Sequence, residues 1–227
     1  MKKAIVFLLI ILFPMLSHAQ TAEEYFKKGV AAANRGDHKS SIQDLNKAIE
    51  LNPNNPDAYY SRGYSKSVLG DERGAIQDFN KTIELNPKYA EAYHNRGICK
   101  FRLGDFRGAL QDFNNALELK PNLADTYIRR GACKAKLNDF GGALQDFNKA
   151  IELNPNDADA YFGRGMAKHG LGDYRGAIQD YNRAIELNPN LNEAYGLRGL
   201  AKIELGQKDS GCLDLSKAGE LGYPPSI

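Results

Sequence analysis

The feature that most constrains this chain is an interval. Prolines stand at 53, 87, 121, 155 and 189, glycines at 63, 97, 131, 165 and 199, and tyrosines at 25, 59, 93, 127, 161 and 195, each series spaced by 34 residues. Whole phrases return in the same rhythm: LGDFRGALQDFNNALELKP at 103–121, LNDFGGALQDFNKAIELNP at 137–155 and LGDYRGAIQDYNRAIELNP at 171–189. A single core with unique surroundings for every residue does not produce such a series. Similar supersecondary units stacked in a row do, each burying its apolar face against the next.

Every unit reads as two helices. In the second unit, Pro56 and Asp57 are favourable first-turn residues, and the first helix runs to Leu69. Gly70 suits the left-handed conformation that follows a helix, and Asp71 is placed to cap the next one. Ala75, Ile76, Phe79, Thr82 and Ile83 then share one helical face, and Asn86-Pro87 stops the helix. The predicted fold is all-α. The unit boundaries fall at about 22–55, 56–89, 90–123, 124–157, 158–191 and 192–223, with 224–227 as a tail.

The 34-residue series of an aromatic, Gly, Ala, an aromatic, Ala and Pro resembles the tetratricopeptide repeat family. The second unit supplies Tyr59, Gly63, Ala75, Phe79, Thr82 and Pro87, and the fifth Tyr161, Gly165, Ala177, Tyr181, Ala184 and Pro189. The resemblance spans residues 22–223. It implies an α-solenoid, a right-handed superhelix whose first helices line a concave groove that holds part of another protein. The family's Trp is Tyr here, and its Leu and Tyr on the first helix are replaced by basic pairs such as Arg62 with Lys66 and Arg96 with Lys100. The second helices of these units also carry an aspartate in a fixed register (Asp78, Asp112, Asp146, Asp180). Uniform along the stack, the pattern reads as a ladder tying helices together, not as a phosphate site.

Residues 1–19 read as a cleaved secretory leader. Lys2 and Lys3 precede an apolar run of 13 residues, Ala4–Leu16, and Ser17-His18-Ala19 supplies the small cleavage residues. The expected location is therefore exported, a bacterial periplasm or the exterior, with no membrane insertion after cleavage. Without the leader, 28 basic residues balance 28 acidic ones. That balance argues against nucleic acid as a partner and against a general pull toward anionic membranes. Cys99, Cys133 and Cys212 all read as small buried apolar residues without a bridge. The end units deviate, with Ser41 and Leu45 in the first and Gly211, Leu215 and Gly219 in the last. The last helix must cap the stack itself or meet a partner, so self-association through it is a possibility.

Repetition also sorts residues by role, since what is constant holds the stack and what varies is free to recognise. On the first helix of the second unit, Tyr59, Arg62, Gly63, Lys66 and Leu69 form the constant side. The side centred about 150° away varies from unit to unit. It carries the expected partner-binding residues Tyr60, Tyr64, His94, Ile98, Phe101, Arg102, Ile128, Arg129, Phe162, Met166 and His169. Part of this apolar content is expected to pack between neighbouring helices, the rest to form an exposed strip. A bordering acidic register, Glu23, Asp57, Glu91, Asp125, Asp159 and Glu193, reads as first-turn carboxylates favoured by the helix dipole. His38, His94 and His169 lie in different registers, and no metal, nucleophile-elbow or phosphate-loop motif occurs. The expectation is a non-enzymatic scaffold or adaptor of the cell envelope, without cofactor or metal, that binds a protein or peptide. The alternative is a carrier of a hydrophobic small molecule in the same groove.

Overall fold

A computed structural model describes residues 21–222. The expected leader and the 224–227 tail lie outside the described residues. Twelve helices follow one another: α1 Ala22–Asn34, α2 His38–Leu51, α3 Pro56–Val68, α4 Glu72–Leu85, α5 Ala90–Arg102, α6 Phe106–Leu119, α7 Ala124–Lys136, α8 Phe140–Leu153, α9 Ala158–Gly170, α10 Tyr174–Leu187, α11 Asn192–Glu204 and α12 Lys208–Glu220. The turns inside the pairs work as their residues dictate. Gly70 takes φ +83°, and Asp71 accepts a hydrogen bond from the Gly74 N–H at 2.9 Å. In the fourth unit Asn138 occupies the glycine position at φ 62°, as the side chain most tolerant of that region can.

Each helix packs on the one before and the one after it. Neighbouring odd-numbered helices also touch each other, whereas no two even-numbered helices meet. The stack therefore bends toward its odd-numbered side, and the concave wall consists of α1, α3, α5, α7, α9 and α11. The result is an α-solenoid.

The periodic glycine and aromatic explain one another. Phe79, Phe113, Phe147 and Tyr181 have essentially no exposed surface. A Cβ on Gly97 would lie 2.7 Å from the Phe113 ring, and one on Gly165 2.6 Å from Tyr181. The first helix must present bare backbone for the ring of the second helix to lie on it.

The basic pairs form the expected ladder in five units. Arg130 Nη2 and Nε donate to Asp146 at 2.6 and 2.9 Å, Lys134 approaches the same carboxylate at 2.7 Å, and Arg130 Nη1 reaches back to Asn114 of the preceding unit at 2.9 Å. The same set recurs around Asp78, Asp112, Asp180 and Asp214. Each guanidinium also lies 5.2 to 5.5 Å from the ring of the periodic tyrosine beside it.

Two of the three cysteines behave as expected, and one does not. Cys99 and Cys133 are buried, while Cys212 is exposed. Its register carries Ile76, Leu110, Leu144 and Ile178 in other units, partly buried against core clusters that include residues of the following helix. Among the described residues no helix follows α12, so the same face meets solvent. Burial pushes the Cys99 and Cys133 thiols up to about 12. Alkylation of the folded chain at pH 8 should therefore label one thiol, Cys212, with the other two reacting only after unfolding. Mass spectrometry after a short iodoacetamide pulse reads this, and labelling of Cys99 in the folded chain contradicts the buried assignment.

Candidate functional site

The expected binding residues lie on the odd-numbered helices, but they do not form one continuous strip. Polar contacts divide them into three stretches. At the N-terminal end, Tyr64 is 46% exposed on α3, with His38 edge-on to its ring at 6.1 Å. These two line a recess with Val30, Ala33, Ser61 and Tyr60. Tyr60 is half-buried, stacked on Tyr89 at 4.9 Å between centroids, and its hydroxyl accepts a hydrogen bond from Asn95 at 2.9 Å. Burial raises the Tyr60 phenol above its ordinary value. Tyr89 in turn donates to Asp57 at 2.9 Å.

The middle stretch is a polar knot. His94 Nδ1 lies 2.9 Å from Thr126 Oγ1, and its Nε2 lies 3.2 Å from Asp125. A carboxylate only accepts, so Nε2 donates to Asp125, while the threonine hydroxyl can serve as either donor or acceptor to Nδ1. The His94 contact, opposed by desolvation and helped by Arg129 at 3.3 Å, holds the Asp125 carboxyl below its ordinary value. Arg102 is tied back along the wall, donating to Glu72 at 2.8 Å and to Ser67 at 3.2 Å. Ile98 and Phe101 lie half-buried over the Phe113 core, with Phe106 edge-on to Phe101 at 5.2 Å. The acidic register is not a free track here, because Asp57, Glu91 and Asp125 are engaged by Tyr89, Lys120 and His94.

The C-terminal stretch is a cavity of about 340 Å³, open on one side and lined by residues of α7, α9 and α11, with Phe140 and Tyr181. Met166 and His169 belong to it; Phe162 packs beside it, 6.0 Å from the Tyr181 ring. Burial holds the His169 imidazole below its ordinary value, outweighing Glu204.

One expected binding residue is corrected. Ile128 is 8% exposed and packs with Ala143, Phe147, Ala150 and Ala160 in the core of its unit. Its cluster reaches across to Ala160 and Ala167 of the next first helix, whereas Tyr60, His94 and Phe162 of the same register keep part of their surface exposed. Conversely, Tyr181 and His38 help shape the wall without having been expected there, and Ala132 and Ala135, on the expected face but not among the expected binding residues, shape it by being small. The two alanines were legible as a gap, being small where the third unit has Ile98 and Phe101. Among the described residues no cluster of His, Cys, Asp and Glu is arranged to hold a metal, and no helix is long and apolar enough to cross a membrane.

Six helix pairs, the periodic glycine under each ring and the bend toward the odd helices agree with sequence models of one repeat. Models described as tetratricopeptide repeat match residues 56–89, 90–123, 124–157 and 158–191, and one described as TPR repeat matches 23–67. The chain belongs to the tetratricopeptide repeat family. An uncharacterized protein of Methanocaldococcus jannaschii is 49% identical over 39 residues, which is 17% of this chain and 45% of that protein. The chain thus spans less than half the length of this relative. Among solved structures, YrrB, described as a tetratricopeptide repeat protein with an unusual peptide-binding site, superposes with TM-score 0.67 at 24% identity over 80% of this chain and 93% of its own. PilW, described as a widely conserved type IV pilus biogenesis factor, gives 0.77 at 18% identity over 90% and 94%. At these identities the likeness is one of fold.

Proposed function

We propose that this tetratricopeptide repeat chain is a non-catalytic adaptor that holds a segment of another protein in its concave groove. One observation carries this reading: the side chains that differ between units lie on the concave wall, with aromatic and apolar groups left partly exposed. The constant residues are occupied in the ladder and the ring–glycine contacts. Aromatic residues with arginine at the edge are the usual anchors of protein interfaces. The peptide-binding site named for YrrB supports the same use of a like solenoid. The leader-like residues 1–19 support a location in the cell envelope or beyond.

The test is a combined Tyr64→Ala, Phe101→Ala and Met166→Ala variant. In crosslinking from native cells it should lose the groove partner, with affinity reduced at least about 100-fold and with helical content unchanged. Recovery of every wild-type partner by the triple variant removes the groove from the function.

Two other readings each have one observation behind them. The C-terminal cavity favours a carrier of a hydrophobic small molecule, although an opening on one side suits poorly a ligand that should be roughly 70–90% enclosed. Native mass spectrometry of the purified chain would reveal such cargo. Leu213 favours self-association: it is 72% exposed on α12, where the five preceding units have glutamine. Sedimentation at several concentrations reads that association.

A further inference from the structure

The C-terminal cavity differs chemically from the rest of the wall. It exists because the fourth unit places Ala132 and Ala135 where the third has Ile98 and Phe101. Those larger side chains cover the wall over Phe113; the alanines leave the space beside Met166 and His169 empty. The inner side carries Tyr181, which is 0% exposed and stands where three other units have Phe79, Phe113 and Phe147. Its hydroxyl has no hydrogen-bond partner, and neither does the buried Nδ1 of His169. These are the two side-chain polar atoms left unsatisfied in this way among the described residues, and both belong to residues lining the same cavity.

A buried polar group without a partner is costly, and in a native structure it needs a cause. Phenylalanine fills this place in other units without that cost. Apart from Lys136 at its edge, the remaining wall is apolar and suited to a ring, with the Met166 thioether and the Phe140 ring among its surfaces. At about 340 Å³ the space lies near the lower end of ligand pockets, which run from roughly 300 to 1,000 Å³. That is room for one ring-sized group. We propose that this cavity receives an aromatic side chain bearing a polar hydrogen, a tyrosine or tryptophan, from the segment held in the groove. The inference rests on the adaptor reading above. The cavity is lined mainly from the concave-wall helices α7, α9 and α11 and is open to solvent, which favours a side chain reaching in from a backbone outside, because a free ring would keep one side in water. Desolvation keeps His169 neutral near pH 7, so one imidazole nitrogen is an acceptor for the incoming hydrogen, and the Tyr181 hydroxyl can give or take a second bond.

Two experiments test this on the purified full chain, with substitutions that other units already carry at the same register. In the first, 4-methylphenol, 3-methylindole and toluene are titrated and followed by NMR. Tyr181→Phe should weaken 4-methylphenol about fivefold and leave toluene unchanged, while Ala135→Phe should abolish binding of all three. Equal affinity of 4-methylphenol for the wild type and Tyr181→Phe would mean that the Tyr181 hydroxyl does not meet the incoming polar group, and the proposal falls. In the second, a randomised peptide library is selected on the wild-type chain. Selected peptides should share a tyrosine or tryptophan at one position and lose affinity at least tenfold with Ala135→Phe, about the cost of 1.4 kcal/mol. Peptides that bind without that residue, or that ignore Ala135→Phe, overturn the inference and leave the groove reading standing. If no peptide binds while the small rings do, the occupant is a free molecule, and both the side-chain source and the adaptor reading are lost.

Discussion

Arg130→Ala should lower the unfolding free energy by about 3 kcal/mol, the low end of the roughly 3–5 kcal/mol expected when one partner of a buried ion pair is removed. Asp146 is 3% exposed and accepts both guanidinium bonds, so the substitution leaves a desolvated carboxylate facing Lys134 alone. That remaining lysine is why the low end is expected. The substitution also removes the bond to Asn114, so it weakens the junction with the third unit as well as its own helix pair. Urea denaturation followed by circular dichroism reads the change, and an unmoved midpoint would show that the ladder contributes nothing. Removing the carboxylate together with the guanidinium, in Arg130→Met with Asp146→Leu, should recover much of the loss, because the unpaired charge goes with its partner. Acid should weaken the same link in the last unit. Burial disfavours the charge on Asp214, but Arg198 and Lys202 more than offset it and hold its pKa below the ordinary 3.8. A depressed folded-state pKa gives stability that is present above pH 3.8 and fades as pH falls through the lower folded value.

Phe113→Ala should cost about 3–5 kcal/mol, the usual range for deleting a buried aromatic ring. The ring has no exposed surface and lies on Gly97, with Ala109 and Cys133 around it and His94 at 5.8 Å. Because Gly97 has no side chain to move inward, the space cannot close by a rotamer change, and the cavity term stays near its full value. The damage should also spread in a way peculiar to stacked units. Each helix pair is held by its neighbours, so α5, α6 and α7 should lose hydrogen-exchange protection together while α11 and α12 keep theirs. Loss of protection confined to α6 would contradict this coupling. Leu45→Ala, in the end unit with a neighbour on one side, should cost less.

Much of this was legible because a repeat states its own rules several times. The turn between α3 and α4 was written in Gly70 and Asp71, and the ladder in the fixed spacing of Arg62, Lys66 and Asp78. The side of the first helix that would turn inward was visible in what changes from unit to unit. Depth was not visible. Successive helical positions are rotated by about 100°, so an arc of variable residues covers both the open groove and the seam between adjacent first helices. Ile128 falls in the seam and is buried, while Tyr64, on the same face, is exposed. Cys212 failed for another reason. Its register predicts burial wherever a further helix follows, and the described stack ends at α12. The C-terminal cavity depended on two conditions in different units, small residues on α7 and a hydroxyl on α10, whose meeting in space only the fold could supply.

The Asn–Arg–Asp link has a consequence for how such a chain can change in length. Each guanidinium clasps the amide of the unit behind it and the carboxylate of its own, by the same rule at five successive junctions. Excising or duplicating one whole period would leave no orphaned hand at the new joint, since Arg164 would find Asn114 as readily as it finds Asn148. Reach is therefore an adjustable quantity in this design, altered by whole links as in a watch strap, while the fittings that discriminate one client from another travel with the particular link that carries them.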